Sequence, residues 1–183
     1  GGPKATLPTS GGSAFTLGPN WGAMEFVSGA NISAATNLDI TGFVAGYDYI
    51  IEIAGSLPAT DGVMLEARFS QSTTFDTGSS YSDEGSATAT SISLIRVNAG
   101  NASTEGLDGV YIIPEPNVGS RTKRIVNAST TYALENGTTR AADYSGAGSF
   151  IANTNAIDGV RFFWSSGDWT ANGKCYVFRR RLS

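Results

Sequence analysis

Residues 47–54 read Tyr-Asp-Tyr-Ile-Ile-Glu-Ile-Ala, and residues 63–70 read Val-Met-Leu-Glu-Ala-Arg-Phe-Ser. In both stretches apolar side chains recur at every second position, which is the period of a β-strand with one buried face. Between them, residues 58–62 read Pro-Ala-Thr-Asp-Gly and are typical of a turn. The pair is therefore predicted to form two strands joined as a hairpin or near-hairpin.

Short runs of the same kind are separated by turn residues along the rest of the chain. Residues 123–134 could form a helix or a strand, and their β-branched side chains favour a strand. Further strands are predicted at residues 23–27, 38–40, 88–98, 109–113, 160–164 and 174–181, with residues 14–17 as a possible first strand. Alternation within these runs predicts a core that includes Ile51, Ile53, Leu65, Phe69, Ile92, Leu94, Phe162 and Val177.

The composition agrees with strands and turns rather than helices. The chain has 183 residues, of which 23 are glycine and only 15% are charged, against about 25% in typical globular domains. Residues 1–13 contain two prolines and four glycines, so they cannot hold a helix or a long strand. We expect an all-β, single-domain β-sandwich, jelly-roll-like, over residues 14–183, preceded by an extended N-terminal arm at residues 1–13.

Several classes of active site are excluded by residue content. The chain has no histidine, so it can form neither a Ser-His-Asp triad nor a zinc site that uses histidine. Its single cysteine, Cys175, is interpreted as a buried small side chain, with a reactive thiol as the alternative. Asp76, Asp83 and Glu84 could bind Ca²⁺, but a solvated acidic loop is favoured. We expect no enzyme activity, no cofactor and no metal, although 16 acidic residues leave a two-carboxylate glycosidase open.

Aromatic residues in turns are the first candidates for ligand binding. Trp164 and Trp169 flank a polar turn that contains Asp168, and Tyr144 lies in a second stretch rich in glycine. An exposed indole can support the apolar face of a sugar ring while a carboxylate accepts hydrogen bonds from its hydroxyls. The alternative, which the alternation with Phe162 favours, places Trp164 in the core and makes Trp169 an anchor of the turn.

A second candidate contact is the basic end of the chain, at Arg179, Arg180 and Arg181. The first 120 residues carry 3 basic and 12 acidic side chains, whereas the remaining residues carry 9 basic and 4 acidic ones. We expect these arginines to contact acidic groups of the same chain or of a neighbouring subunit. Phosphate is an alternative ligand, but the net charge of −4 disfavours nucleic acid as a partner.

Residues 156–173, Ala-Ile-Asp-Gly-Val-Arg-Phe-Phe-Trp-Ser-Ser-Gly-Asp-Trp-Thr-Ala-Asn-Gly, resemble a run found in small structural proteins of tailed bacteriophages and prophages. Similar pieces of the same proteins occur at residues 49–54, 61–63, 68–70 and 75–78 and at Tyr81, so the resemblance covers about half of the chain. Residues 176–181 depart from that pattern, which has a short strand and a glycine there.

The resemblance implies a virion protein in tail-fibre, spike or head-decoration position, assembled in the host cytoplasm. It implies a homo-oligomer, for which a trimer is favoured, together with contacts to other virion proteins and to host surface polysaccharide. A secreted bacterial carbohydrate-binding module is the alternative. No apolar run reaches the 18 residues of a membrane-spanning helix, so no membrane insertion is expected.

Overall fold

A computed structural model of the chain describes residues 24–83, 86–96, 98–103, 105–133 and 141–182. The predicted arm at residues 1–13 and the possible strand at residues 14–17 lie outside these ranges. In the described ranges every regular element is a β-strand and every strand pair is antiparallel.

The strands form two curled sheets that face each other. The larger sheet contains, in spatial order, β1 (Met24–Asn31), β13 (Lys174–Arg181), β3 (Tyr47–Ser56), β9 (Leu107–Ile113), β10 (Lys123–Ala133), β11 (Ala141–Phe150), β6 (Tyr81–Asp83) and β7 (Ser86–Ala89). The smaller sheet contains β2 (Asn37–Thr41), β12 (Gly159–Trp164), β4 (Leu65–Gln71) and β5 (Thr74–Phe75), with β8 (Ile92–Ser93) also paired to β4. The predicted all-β, single-domain sandwich is confirmed, and the chain crosses repeatedly between the two sheets, as in a jelly roll.

The core lies between the sheets and is built from the alternating side chains. Each of the eight side chains predicted to be in the core is at most 4% exposed. Phe162 of β12 meets Tyr111 of β9 across the sandwich, with ring centroids 5.1 Å apart. Phe69 of β4 makes an edge-to-face contact with Phe150 of β11 at 6.4 Å. The face assignments made from the sequence are therefore confirmed.

The predicted hairpin of residues 47–54 and 63–70 is wrong. The first stretch is β3, which pairs with β13 and β9, and the second is β4, which lies in the other sheet beside β12. The connection crosses the sandwich instead of turning back, and it is held by isolated bridges from Pro58 to Trp169 and from Val63 to Ala99. Turn residues permit both connections, and the burial of two apolar faces against each other favours the crossing.

Two other predictions of strands need comment. Residues 123–134, which could have been helix or strand, contribute β10, so the strand interpretation is confirmed. Residues 88–98 do not form one strand, because they are divided between β7 in the larger sheet and β8 in the smaller one.

β11 was not predicted, because its sequence, Ala-Ala-Asp-Tyr-Ser-Gly-Ala-Gly-Ser-Phe, is poor in β-branched residues. Its small residues have a packing role in the folded chain. A Cβ atom added at Gly148 would overlap Cγ2 of Ile92, a core side chain of the facing sheet. Glycine is thus required where Ile92 approaches the β11 backbone.

We predict that Phe162→Ala lowers the free energy of unfolding by about 3–5 kcal/mol, because the ring is fully buried and its loss leaves a cavity beside Tyr111. Chemical denaturation of the two proteins measures this difference. Val44→Ala, at an exposed apolar side chain, is the control and should change stability by less than about 0.5 kcal/mol. A loss below about 1 kcal/mol for Phe162→Ala would contradict the central position of this ring.

Candidate functional site

The turn between β12 and β13 is hydrogen-bonded to two other loops, the one before β2 and the one between β3 and β4. Gly167 adopts a positive φ of 75°, which allows the chain to reverse after Trp164. The Trp169 amide donates to the carbonyl oxygen of Ala35 at 2.9 Å, and the Ala59 amide donates to the carbonyl oxygen of Asp168 at 2.8 Å. The exposed Asp168 carboxylate accepts a hydrogen bond from the Thr36 hydroxyl at 2.8 Å. These bonds fix the turn from several directions.

The two tryptophans of this turn are part of the core. Trp164 is 2% exposed and Trp169 is 1% exposed, and their ring centroids lie 5.2 Å apart at an angle of 53°. Neither indole face is open to a sugar ring, and the arrangement is the one expected if Trp164 is core and Trp169 anchors the turn. Both indole N–H groups are buried without a hydrogen-bond partner in the described chain.

Tyr144 is not in a loop near these tryptophans but within β11. Its half-buried ring packs against the core, and the Arg96 guanidinium lies 5.7 Å from the ring centroid. Of the aromatic residues considered for sugar binding, only Trp164 and Trp169 come together. Trp21, a further aromatic residue in a glycine-rich stretch of the sequence, lies outside the described residues.

Two of the three C-terminal arginines have acidic partners within the same chain. Arg179 is ion-paired with Glu25 of β1 at 2.8 Å, and its guanidinium lies 4.2 Å from the Tyr47 ring centroid. The hydrogen bond to Glu25 raises the pKa of Arg179. Arg180 is ion-paired with Asp48 of β3 at 2.5 Å. The Asp48 carboxylate also accepts a hydrogen bond from the Glu115 backbone amide at 3.0 Å. The charge asymmetry of the sequence is thus partly resolved between neighbouring strands of one sheet.

A shallow cavity of about 240 Å³ lies next to this end of β13. Its lining includes Asp48, Glu115, Arg121 and Arg124. Glu115 is ion-paired with Arg121 at 2.6 Å, and Asp48 with Arg180 as above. Within the described part of the chain Arg124 has no acidic partner. The cavity is polar, and both of its acidic groups are already engaged by arginine.

Asp158, immediately before β12, organises the turn between β4 and β5. It accepts hydrogen bonds from the Ser70 hydroxyl and from the Thr73 amide, the latter at 2.7 Å. Ser72 and Thr73 have positive φ angles of 51° and 66°, which are costly for residues other than glycine. The carboxylate therefore compensates for a strained two-residue turn.

The glycine that follows Asp158 has its own steric role. A Cβ atom at Gly159 would lie 2.7 Å from the carbonyl oxygen of Ile40 in β2. The Asp158-Gly159 pair thus accepts hydrogen bonds at the β4–β5 turn and lets the backbone approach β2 closely. No sequence pattern identified Asp158 as such a connection, because its partners are 85 to 88 residues distant.

The outer face of the smaller sheet carries guanidinium groups stacked on aromatic rings. Arg161 lies 4.1 Å from the Phe75 ring centroid and makes a two-point ion pair with Asp39 at 2.6 and 2.7 Å. This hydrogen bonding raises the pKa of Arg161. Arg68, opposite Arg161 in the sheet, lies 4.5 Å from the Phe163 ring centroid. We call these five residues the Arg–Phe face: Asp39, Arg68, Phe75, Arg161 and Phe163. The alternation of side chains along β4 and β12 is the sequence signal that could have located this face.

The described residues contain no group of three or more histidine, cysteine, aspartate or glutamate side chains placed to hold a metal ion. They also contain no helix with the length and apolar character needed to cross a membrane. No family model, curated protein or solved structure matches the chain. The arrangement of its own residues is therefore the basis for assigning a role.

We predict that replacing Ser72-Thr73 by Asn-Gly raises the free energy of unfolding by about 1 kcal/mol, because both new residues accept positive φ readily. The backbone amide at position 73 would still donate to Asp158. Denaturant titration checks the gain, with Ser79→Asn/Ser80→Gly as a control, since neither of those positions has a positive φ. Equal or lower stability of the Asn-Gly variant would show that the turn is unstrained.

Cys175 should react slowly with a thiol reagent at pH 8, because burial raises its pKa to about 12 and keeps the thiol protonated. The rate should rise sharply when denaturant unfolds the chain. Val44→Cys adds an exposed thiol and should react with one equivalent of reagent at once in the native state. Rapid native labelling of the parent chain would instead favour the reactive-thiol alternative.

Proposed function

We propose that this chain is a structural component of a bacteriophage particle, in tail-fibre, spike or head-decoration position, where it presents a binding surface. The observation that carries the proposal is the spatial relation of the separate sequence segments that resemble phage structural proteins. The segment with β12 and the segment with β4 and β5 pair directly in the smaller sheet. Asp158 and Arg161 of the first contact Ser70 and Phe75 of the second.

This relation supports the proposal because unrelated short similarities would have no reason to be contiguous in space. Here the segments at residues 68–70, 75–78 and 156–173 are in contact through β4, β5 and β12 of the smaller sheet, whereas residues 49–54 and Tyr81 lie in the larger sheet. A face of paired guanidinium and aromatic groups is suited to contact with a protein or a polysaccharide, since arginine and aromatic residues are enriched in interfaces. The Arg–Phe face is accordingly the surface proposed to meet another virion protein or a host glycan.

The protein is proposed to act as a homo-oligomer, with three copies as the favoured number. Of the three C-terminal arginines, Arg181 is the one proposed to reach a neighbouring copy, because Arg179 and Arg180 have partners in their own chain. The role of the whole protein is proposed to be non-catalytic and independent of cofactors. A secreted carbohydrate-binding module is less well supported, since Trp164 and Trp169 are buried.

We predict that the protein is found, in many copies, on phage particles purified by density gradient and washed at high salt. Mass spectrometry of the particles gives its abundance relative to the major capsid protein, and gold-labelled antibody gives its position. An abundant host protein of the lysate is the control for adhering material. Absence from particles, together with a secreted monomer that binds polysaccharide, would favour the carbohydrate-binding module.

The same particles and the purified protein can be incubated with host polysaccharide. We expect no new reducing ends from the purified protein. Release of oligosaccharides that is lost on changing one aspartate or glutamate would contradict the non-catalytic role and leave the glycosidase alternative standing.

A further inference from the structure

The polar cavity beside the end of β13 lies on the outer face of the larger sheet. Asp48 of β3 and Arg124 of β10 line it, and they alternate with the buried side chains of Tyr49 and Ile125, so they point away from the core. The loop between β9 and β10 supplies the rest of the polar lining. The core of the sandwich separates this cavity from the Arg–Phe face, which lies on the smaller sheet.

The loop that lines the cavity, residues 114–122, is fixed by strain and by hydrogen bonds. Glu115 has a positive φ of 44°, which is costly for a residue other than glycine, and its amide donates to the Asp48 carboxylate at 3.0 Å. The buried Lys123 ammonium donates to the carbonyl oxygen of Arg121 at 2.8 Å. A wall that is already ordered loses little conformational entropy when a ligand binds.

Guanidinium groups outnumber carboxylates at this cavity. Arg121 is ion-paired with Glu115 at 2.6 Å. Arg180 is ion-paired with Asp48 at 2.5 Å. Arg124 is the third guanidinium group and has no acidic partner among the described residues, so three positive charges meet two negative ones and one positive charge is left over. An unpaired guanidinium offers N–H donors in a planar fork that matches a carboxylate, so the cavity is suited to a ligand with an anionic group.

The two carboxylates of the cavity decide which kind of anion fits. A phosphate or sulfate ion carries negative charge on all its oxygens and would be repelled by Asp48 and Glu115. A ligand that also has hydroxyl groups would instead donate to them. The described hydrogen bonds engage the Glu115 carboxylate through Oε2, from Arg121, and the side chain is 29% exposed, so Oε1 can accept from a hydroxyl.

The size and the remaining walls of the cavity fit a sugar ring. Its volume of about 240 Å³ is below the roughly 300–1,000 Å³ of pockets that hold drug-sized ligands, which suits a single sugar unit. Pro114 and Leu182 add apolar surface for the C–H groups of the ring. Because the cavity is shallow, a polysaccharide chain can continue out of it on both sides.

We propose that this cavity binds one hexuronate unit of an acidic polysaccharide, with the sugar carboxylate at Arg124 and a sugar hydroxyl donating to Glu115. Such a site goes beyond the proposed function, because it lies on the opposite sheet from the Arg–Phe face. Either surface can bind its partner without the other, and neither depends on a place in a phage particle.

Titration calorimetry of the full chain with trigalacturonate at low ionic strength tests the ligand class. Fully methyl-esterified trigalacturonate, which has the same hydroxyls without the charge, and acetate, which has the charge without the hydroxyls, are the matched ligands. We expect trigalacturonate to bind at least about tenfold more tightly than either, because only it uses both kinds of group. Equal binding of the ester, equal binding of acetate, or no binding of trigalacturonate at millimolar concentration would each overturn the proposal.

Variants test the place of binding. Arg124→Gln should weaken trigalacturonate binding about tenfold, and Arg124→Lys should weaken it less, because lysine keeps the charge but loses the planar fork. Lys174→Gln is the matched control, since it removes one positive charge from an exposed side chain at the other end of β13 and should leave binding unchanged. Circular dichroism should be the same for all three variants.

Two results with these variants would contradict the assignment. Equal weakening by Arg124→Gln and Lys174→Gln would show that net charge, and not the cavity, attracts the ligand. Full binding by Arg124→Gln would place the sugar elsewhere and leave the Arg–Phe face as the surface for a glycan. Neither result would affect the proposed virion role, which the analysis of purified particles tests separately.

Discussion

The contact between Phe162 and Tyr111, with ring centroids 5.1 Å apart, joins the two sheets, and the rest of the structure depends on burial of this kind. Each sheet has an apolar face that is stable only when another layer covers it. This requirement explains why β3 and β4, although consecutive in the chain, lie in different sheets. The apolar faces of both strands are buried in the core between the two sheets.

Several buried polar side chains complete their hydrogen bonds inside the sandwich or beside it. Asn127 donates to the carbonyl oxygen of Leu94 at 2.7 Å, and Thr130 donates to Asn127 at 2.8 Å and lies 3.1 Å from the Tyr111 hydroxyl oxygen. Lys123 is 2% exposed, and its ammonium donates to the carbonyl oxygens of Val118, Arg121 and Thr154. Burial lowers the pKa of Lys123. These groups hold loops against the sandwich that apolar contacts alone would leave unspecified.

The surfaces of the molecule differ in whether their side chains have interaction partners within the described chain. At the turn with Trp164 and Trp169, and at the ion pairs of Arg179 and Arg180, the side chains are engaged within the chain. The Arg–Phe face is also internally paired but accessible, which suits contact without rearrangement. β1 differs from all of these because both its backbone and its apolar side chains lack a partner on one side in the described structure.

The strand class and the buried faces followed from the amino-acid pattern alone, whereas strand pairing and the candidate sites did not. A period of two residues indicates which side chains of a strand share a face. The same period occurs whichever strand lies beside it, so the period does not predict the pairing. β11 was missed because its small residues are favourable only where Ile92 of the other sheet approaches Gly148. Trp164 and Trp169 could be located as a cluster, yet their burial depends on loops more than 100 residues away, as the bond between Asp168 and Thr36 illustrates. Contacts between distant segments carry no signal in local spacing, because the fold alone brings their partners within hydrogen-bond distance.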